Sequence, residues 1–383
     1  MRKLLSALLI VAIVAPLAGC GSAGSSNKVR IGLITPLTGD VKTYGESVKQ
    51  GAELAIDQWN KNGGVLGKQI ELSLADDKND PAEASAAATK LITQDKIKLL
   101  LGGVTSKCAI PVSEIAEKNQ VLDISPTATS PKLTVDPWPG GTRKEYVFRA
   151  CFIDDFQASA MSQFALSNNL KKAAVVYDNG NDYCVGLAQS FRKYYTQGGG
   201  TINVYEAYSQ SDTDFSAILT KVIADNPDML YIPDYYGTVN LIAKQARAMG
   251  FKGTFAGADG WDSPDLDVQT VEGSYFTNHY SPDDPRPEVQ NFVKAYKDKY
   301  GTVPDALGML AYEGTNLLLN AVKTAGSDDP TKVKDALQAT KGFTTVSGDI
   351  TFNADGNPIK GIAILKISGG KQELVTSVKP TSE

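Results

Sequence analysis

Residues 97–131 read IKLLLGGVTSKCAIPVSEIAEKNQVLDISPTATSP, and the rest of the chain is organised around them. An apolar run, Ile97 to Leu101, has the character of a buried strand and opens into Gly102-Gly103 and then Val104-Thr105-Ser106-Lys107. Ile110, Val112, Ile115 and Ala116 then fall on one side of a helix. A second short strand, Val121 to Ser125, opens into Pro126-Thr127-Ala128-Thr129. Strand, polar loop, helix, strand, polar loop is the pattern of a parallel sheet whose strands end at one edge. Open α/β sheets bind small molecules at that edge, outside the carboxyl ends of their strands. Ser106 stands where a helix begins, and the free N–H groups and macrodipole of a helix N-terminus attract an anion. The two hydroxyl-bearing loops therefore predict a cradle the size of a carboxylate.

The same alternation runs outward in both directions. Towards the N-terminus, Val29–Thr35 reads as a strand, Tyr44–Asn62 as a helix with Val48, Ala52, Ala55, Ile56 and Trp59 along one face, and Gly63-Gly64 as its stop. Gln69–Ala75 is the next strand, and Pro81 opens an alanine-rich helix to about Gln94. A Pro- and Gly-rich loop, Pro131–Thr142, breaks the rhythm, and a strand at Tyr146–Cys151 follows. A second series then has strands at Lys172–Tyr177, Thr201–Tyr208, Asp228–Ile232 and Gly253–Gly257. Its helices start near Phe156, Tyr183, Asp214 and Gly237. Its strand ends also carry polar or aromatic residues: Asp178-Asn179-Gly180, Asp234-Tyr235-Tyr236 and Ala258-Asp259-Gly260-Trp261. After Pro285 come three helices without strands between them, near Pro287–Tyr300, Pro304–Thr324 and Pro330–Ala339. Strands at Phe343–Phe352, Gly361–Ile367 and Gln372–Val378 close the chain. Helices in such a run must pack onto a lobe already formed.

Composition narrows the chemistry. The chain has 383 residues, a net charge of −5 and a single histidine, His279. That length suits two domains, and the acidic balance with no basic cluster argues against nucleic acid as a partner. One histidine removes most histidine-dependent catalysis, and no GxSxG, HExxH, Walker A or GxGxxG pattern is present. Beyond Cys20, Cys108, Cys151 and Cys184 have neither CxxC spacing nor a histidine cluster, so no metal site and no cofactor are expected. Two of them could pair, or all three could be buried free thiols. At the N-terminus, Arg2 and Lys3 precede an apolar run, Leu4 to Leu17, the arrangement of a secretory signal.

The run ends Leu17-Ala18-Gly19-Cys20, which resembles the lipobox of bacterial lipoproteins. By that resemblance residues 1–19 are removed, Cys20 carries the lipid, and residues 21–27 form the rest of a flexible tether, 20–27. The longer stretches IGLITPLTGDVKTYGESVKQGAELAIDQWN, NGGVLGKQIEL, DDKNDPAEA, ISPTATSP, VFRACFIDDFQA, YDNGNDYCVGLA and PDYYGTVNLIAKQARAMG, in this order, resemble the substrate-binding lipoproteins of branched-chain amino-acid ABC importers. These are two-lobed periplasmic binding proteins of type I. The resemblance implies an α/β fold, each lobe a mostly parallel sheet flanked by helices, joined by a hinge of three crossovers. It places lobe 1 at 28–149 and 281–346 and lobe 2 at 150–280 and 347–383.

The resemblance also assigns a site. Ser106, the Thr127 backbone and the Thr129 hydroxyl would take the ligand carboxylate, and Tyr44 would cover its side chain. Tyr183 and Asp259 would take the ammonium, with Asp154 just past the crossover and Tyr235 or Tyr236 as the aromatic wall. Asp259 stands where the family often has Glu, one methylene longer. Trp261 would stack on the ligand or plug the inter-lobe rim. The physical logic agrees, because a zwitterion needs donors at one end and acceptors at the other. The implied function is an extracytoplasmic, lipid-anchored receptor that binds a free amino acid and delivers it to permease subunits, with no reaction. The rivals are a receptor for an amide or polar amino acid, a sensory ectodomain, and an enzyme using Asp154, Asp178 or Asp259 as general base.

Overall fold

The computed structural model describes residues 28–379, so the signal segment, the tether and Cys20 lie outside the described residues. The first part of the chain alternates β1 (Lys28–Thr35), α1 (Lys42–Lys61), β2 (Gln69–Asp76), α2 (Pro81–Thr93), β3 (Leu99–Leu101), α3 (Ser106–Asn119) and β4 (Leu122–Ser125). A small hairpin, β5 (Val135–Asp136) and β6 (Thr142–Arg143), precedes β7 (Val147–Arg149). Five of these strands form a parallel sheet in the order β2-β1-β3-β4-β7. β3 and β4 are buried on both faces, as inner strands of a covered parallel sheet must be. Local chemistry sets the helix ends. Asp80 caps α2 by accepting from the N–H groups of Ala82 and Glu83, with Pro81 in the first turn.

The second part runs α4 (Asp154–Ser167), β8 (Lys172–Asp178), α5 (Asp182–Gln197), β9 (Thr201–Tyr208), α6 (Ser216–Asp225), β10 (Met229–Tyr231), α7 (Tyr236–Ala248), β11 (Thr254–Gly257) and β12 (Tyr275–Asn278). Then come α8 (Pro287–Tyr300), α9 (Ala306–Ala325), α10 (Pro330–Gln338), a hairpin of β13 (Phe343–Thr344) and β14 (Asp349–Ile350), and finally β15 (Ile362–Ser368) and β16 (Lys371–Val378). The second sheet has the order β16-β15-β12-β11-β10-β8-β9. It is parallel from β9 to β12 and antiparallel where β15 joins β12 and β16 joins β15.

The late helices return to the first sheet. α9 packs along α1 and over β3 and β4, while α8 touches α1 and α10 touches α9 and β4. Small residues permit the closest approach, since a Cβ on Gly51 of α1 would stand 2.0 Å from the Gly308 carbonyl oxygen of α9. The chain thus passes between the lobes three times: after β7, after β12 and before β15. A buried ion pair ties two of these passages to α9. Lys360 Nζ lies 2.6 Å from Glu313 Oε2 and donates to the Ala150 carbonyl at 2.9 Å, while Glu313 Oε1 accepts from the Ser347 N–H.

Three expectations need correction. β12 is a strand that the pattern of the sequence did not suggest, because it is short and follows a turn-rich segment. Phe343–Phe352 is not one strand but a tight hairpin, turned through Gly348 at φ +129°. Trp261 neither faces the cavity nor plugs a rim. It is wholly buried in the second lobe, donates from Nε1 to the Ile232 carbonyl at 3.0 Å and stacks on Phe276. Gly257 makes room for it, since a Cβ there would stand 2.1 Å from the indole. Of the two cysteine alternatives, the structure takes the second: Cys108, Cys151 and Cys184 are all free and buried. Burial raises each thiol, Cys108 and Cys151 to about 12.

Candidate functional site: a cavity between the lobes

The carboxyl ends of both sheets face one small cavity between the lobes. The first lobe contributes Tyr44 from α1, Val104 to Ser106 ahead of and at the start of α3, Thr127 and Thr129 after β4, and Leu307 and Leu310 of α9. The second contributes Tyr183 of α5, Tyr235 ahead of α7, Asp259 and Gly260 after β11, and His279 after β12. The lobes touch around this space. The Tyr44 hydroxyl donates to the Gly260 carbonyl, the Tyr236 hydroxyl donates to the Asp40 carbonyl at 3.0 Å, and the Thr43 and Ser263 hydroxyls meet at 3.1 Å. This is the closed arrangement of a two-lobed cleft.

One end of the cavity presents hydroxyl donors. Ser106 occupies the first turn of α3, and its Oγ accepts from the Ser130 N–H at 3.2 Å, leaving its own proton free to point elsewhere. The Thr127 hydroxyl is committed to the Val104 carbonyl at 2.6 Å, so it shapes the loop and leaves contact with a ligand to the backbone. The Thr129 hydroxyl is buried without a partner of ordinary geometry among the described residues. No cationic side chain lines this end.

The other end is built on Asp259. Its Oδ1 accepts from the Tyr183 hydroxyl at 2.8 Å and from Gln157 Nε2 at 3.0 Å, and its Oδ2 lies 3.0 Å from His279 Nε2. The Tyr183 oxygen in turn accepts from the Gly260 N–H at 2.8 Å, which fixes both partners. Burial, opposed by Asp259, lowers the His279 pKa below its usual value, so the ring stays neutral near pH 7. Asp259 therefore faces the cavity with no lysine or arginine within ion-pair reach among the described residues. Burial raises the Tyr44, Tyr183 and Tyr235 hydroxyls well above 10, so all three remain protonated donors.

The rings complete the wall. Tyr183 and Tyr235 stack with centroids 5.2 Å apart, and Tyr44 meets Tyr235 edge-on at 5.7 Å. Leu307, Leu310 and Val104 give the remaining apolar lining.

Seven of the nine expected positions thus come together at the cavity: Tyr44, Ser106, Thr127, Thr129, Tyr183, Tyr235 and Asp259. Two stand outside it. Tyr236, the first residue of α7, packs edge-on against Tyr44 and bonds across the cleft mouth. Asp154, the first residue of α4, lies wholly buried behind the wall, with its N–H on the Thr129 carbonyl at 3.1 Å and its Oδ1 on Gln157 Nε2 at 3.2 Å. Burial pushes its carboxyl up to about 8, with Thr129 and Gln157 opposing and Asp259 adding to the rise. Reading the sequence missed His279, Gln157, Leu307 and Leu310. The leucines were visible only as helix-face residues, and His279 carried no motif. Among the described residues no group of His, Cys, Asp or Glu could hold a metal ion.

Two α/β lobes closed over a cavity that is hydroxyl-lined at one end and acidic at the other define a binding protein for a small zwitterionic solute. Residues 28–372 match the periplasmic binding protein family, and the chain belongs to it. The Leu/Ile/Val-binding protein BraC3 of Rhizobium johnstonii is 35% identical, over 96% of this chain and 98% of that protein. Leu/Ile/Val-binding protein homolog 3 of Brucella melitensis is 34% identical over 93% and 94%. Among solved structures, the leucine binding protein LivK of Thermotoga maritima superposes with a TM-score of 0.86 at 35% identity, covering 92% of this chain and 99% of that one. The branched-chain amino acid transporter substrate binding protein LivJ of Streptococcus pneumoniae, in complex with isoleucine, gives 0.85 at 34% identity over 92% and 100%. No helix among the described residues is long and apolar enough to cross a membrane.

Proposed function

We propose that this protein is the extracytoplasmic solute-binding component of an ABC importer and that its ligand is a free branched-chain amino acid. The observation that carries the reading is Asp259, a buried carboxylate at the cavity wall held by Tyr183, Gln157 and His279 but with no lysine or arginine within ion-pair reach among the described residues. A ligand ammonium supplies the missing charge. The ligand carboxylate takes Ser106, the Thr127 N–H and the Thr129 hydroxyl at the α3 N-terminus, where neutral donors stabilise an anion without a buried counter-charge. Its side chain lies among Tyr44, Tyr235, Leu307 and Leu310. The names of the relatives support the same ligand class.

In this reading the moving bodies are residues 28–149 with 281–346 and residues 150–280 with 347–383, and the closed form is presented to the permease subunits. Cys20 carries a lipid that anchors the chain to the outer face of a membrane, on the support of Leu17-Ala18-Gly19-Cys20 in the sequence. Asp154 and Tyr236 serve the site from behind it and from its mouth.

Ligand that binds only the folded protein raises its melting temperature by mass action. Protein stripped of ligand by denaturation and refolded should show its largest shifts with leucine, isoleucine and valine across an amino-acid panel. Flat curves throughout the panel would overturn the reading. Mass spectrometry of the ligand released on denaturation identifies an amide or polar amino acid if one is the true occupant.

A further inference from the structure

The N-terminus of α9 receives two carboxylates, one from each lobe. Asp305 is the N-cap and accepts from the Gly308 N–H at 2.8 Å through Oδ1, while Oδ2 accepts from the Ser47 hydroxyl at 2.5 Å. Asp262 arrives from the second lobe, just past Asp259-Gly260-Trp261, and its Oδ2 accepts from the Ala306 N–H at 2.8 Å. Asp262 is held ready for that contact by Asn278 Nδ2 at 2.9 Å and Gln372 Nε2 at 3.0 Å, both groups of its own lobe. Both residues are buried or nearly so, and neither makes an ion pair among the described residues. Other charged or titratable groups around this helix end are Glu46 on α1, Tyr296 and Tyr300 on α8, Tyr280 and Asp283 between β12 and α8, and Lys371 on β16.

A helix N-terminus favours one negative charge, but two carboxylates on one turn repel when buried together. Opening the cleft would return both to water and relieve the repulsion. Protonating one of them relieves it while the cleft stays closed. We propose that Asp262 is a positioning residue for closure, docking on the α9 N-terminus beside Asp305 as the lobes meet, and that closure takes up a proton at this pair. The site is separate from the ligand cavity, and the inference rests on the binding reading above.

The direction of the linkage follows from the geometry. Burial and the neighbouring Asp262 raise the Asp305 carboxyl to about 7 in this closed form, so the closed form holds more protons than an open, solvated one. Closure, and with it ligand affinity, should strengthen as pH falls from 8 to 6.

Calorimetric titration of the full chain with isoleucine at pH 8 and pH 6 tests this. Wild type should bind roughly three- to tenfold tighter at pH 6. Asp305→Asn, which keeps a good N-cap, should lose the part of the slope that this pair contributes and bind as tightly as wild type at pH 6. Asp262→Asn should keep only the smaller slope that burial of Asp305 imposes by itself, and at pH 6 should bind roughly tenfold more weakly than wild type because the cap across the cleft is weakened. Burial also raises Asp154 to about 8 and Asp77 and Asp234 to about 6, so the slope that matters is the part the variants remove. Should Asp262→Asn fail to fold, Asp305→Asn decides alone. Wild-type affinity that is independent of pH, or variants that keep the wild-type slope, would overturn the proposal. Wild type that binds no amino acid at either pH refutes the ligand reading instead.

Discussion

The Nε2 atom of His279 lies 3.0 Å from Oδ2 of Asp259, the oxygen that Tyr183 and Gln157 leave open. The imidazole is stacked on Phe152 with centroids 3.8 Å apart, and its Nδ1 has no partner among the described residues. A neutral ring with its proton on Nε2 suits that setting, because burial disfavours the charged ring and protonation would add an Nδ1–H donor with no acceptor among the described residues. The only histidine of the chain therefore orients the Asp259 carboxylate at the cavity wall.

Replacing His279 by Phe keeps a ring on Phe152 and removes the donor. One ordinary hydrogen bond is worth about 0.5–1.5 kcal/mol, so isoleucine should bind roughly three- to tenfold more weakly. His279→Gln, which restores an N–H, should recover most of the loss. Calorimetry showing equal affinity for wild type and His279→Phe would remove His279 from the site.

Asp259→Asn and Thr129→Val separate the two ends of the ligand. Losing a charge-assisted bond to a buried ammonium costs about 1.5–3 kcal/mol, roughly ten- to a hundredfold in Kd. Thr129→Val should cost about 1–3 kcal/mol at the carboxylate end. An analogue lacking the amino group should then be penalised in wild type and in Thr129→Val, but much less in Asp259→Asn. If both variants respond alike to amine deletion, Asp259 is not the ammonium partner.

Asp154 predicts a pH dependence of stability. Its folded carboxyl is raised to about 8, above the unfolded value, so its contribution is fully present in acid and is lost as pH rises from about 4 through 8. Asp154→Asn removes that loss. Urea titrations should show the variant gaining on wild type steadily between pH 4 and 8. A constant difference over that range would show that Asp154 is ionised in the folded protein.

Lys360 and Glu313 are both almost wholly buried. Lys360→Met leaves Glu313 without its cation and should destabilise the protein by about 3–5 kcal/mol, whereas Lys360→Met with Glu313→Leu should recover much of that. Equal midpoints for Lys360→Met and the double variant would show that the unpaired Glu313 carboxylate is not what destabilises the single variant.

The sequence was most legible where one periodicity governed a whole element. The α1 face of Val48, Ala52, Ala55 and Ile56 is buried as its spacing requires, and both loops after β3 and β4 reach the cavity because parallel strands share an edge. Legibility failed where a single residue decides direction. Tyr235 precedes α7 and Tyr236 begins it, and that one step sends the first ring into the cavity and the second to its mouth. Asp154 and Asp155 both begin α4, and only packing shows that Asp154 is buried. β12 escaped because a four-residue strand offers too few positions to show alternation, and with it went the reason for His279 to stand beside Asp259. The roles of Leu307 and Leu310 depend on α9 returning to α1, a contact between residues far apart in the chain.

The way the chain crosses between the lobes also constrains how it is made. The first sheet is laid down by Arg149, yet its cover waits for α8, α9 and α10, and the second sheet lacks its last two strands until Val378. Translation from the N-terminus therefore cannot deliver one finished half before the other. A ribosome that has reached Asn278 has produced one sheet lacking three of its helices and another with the β12 edge still open. A chain with its parts in this order emerges with neither core complete until its last strands are made.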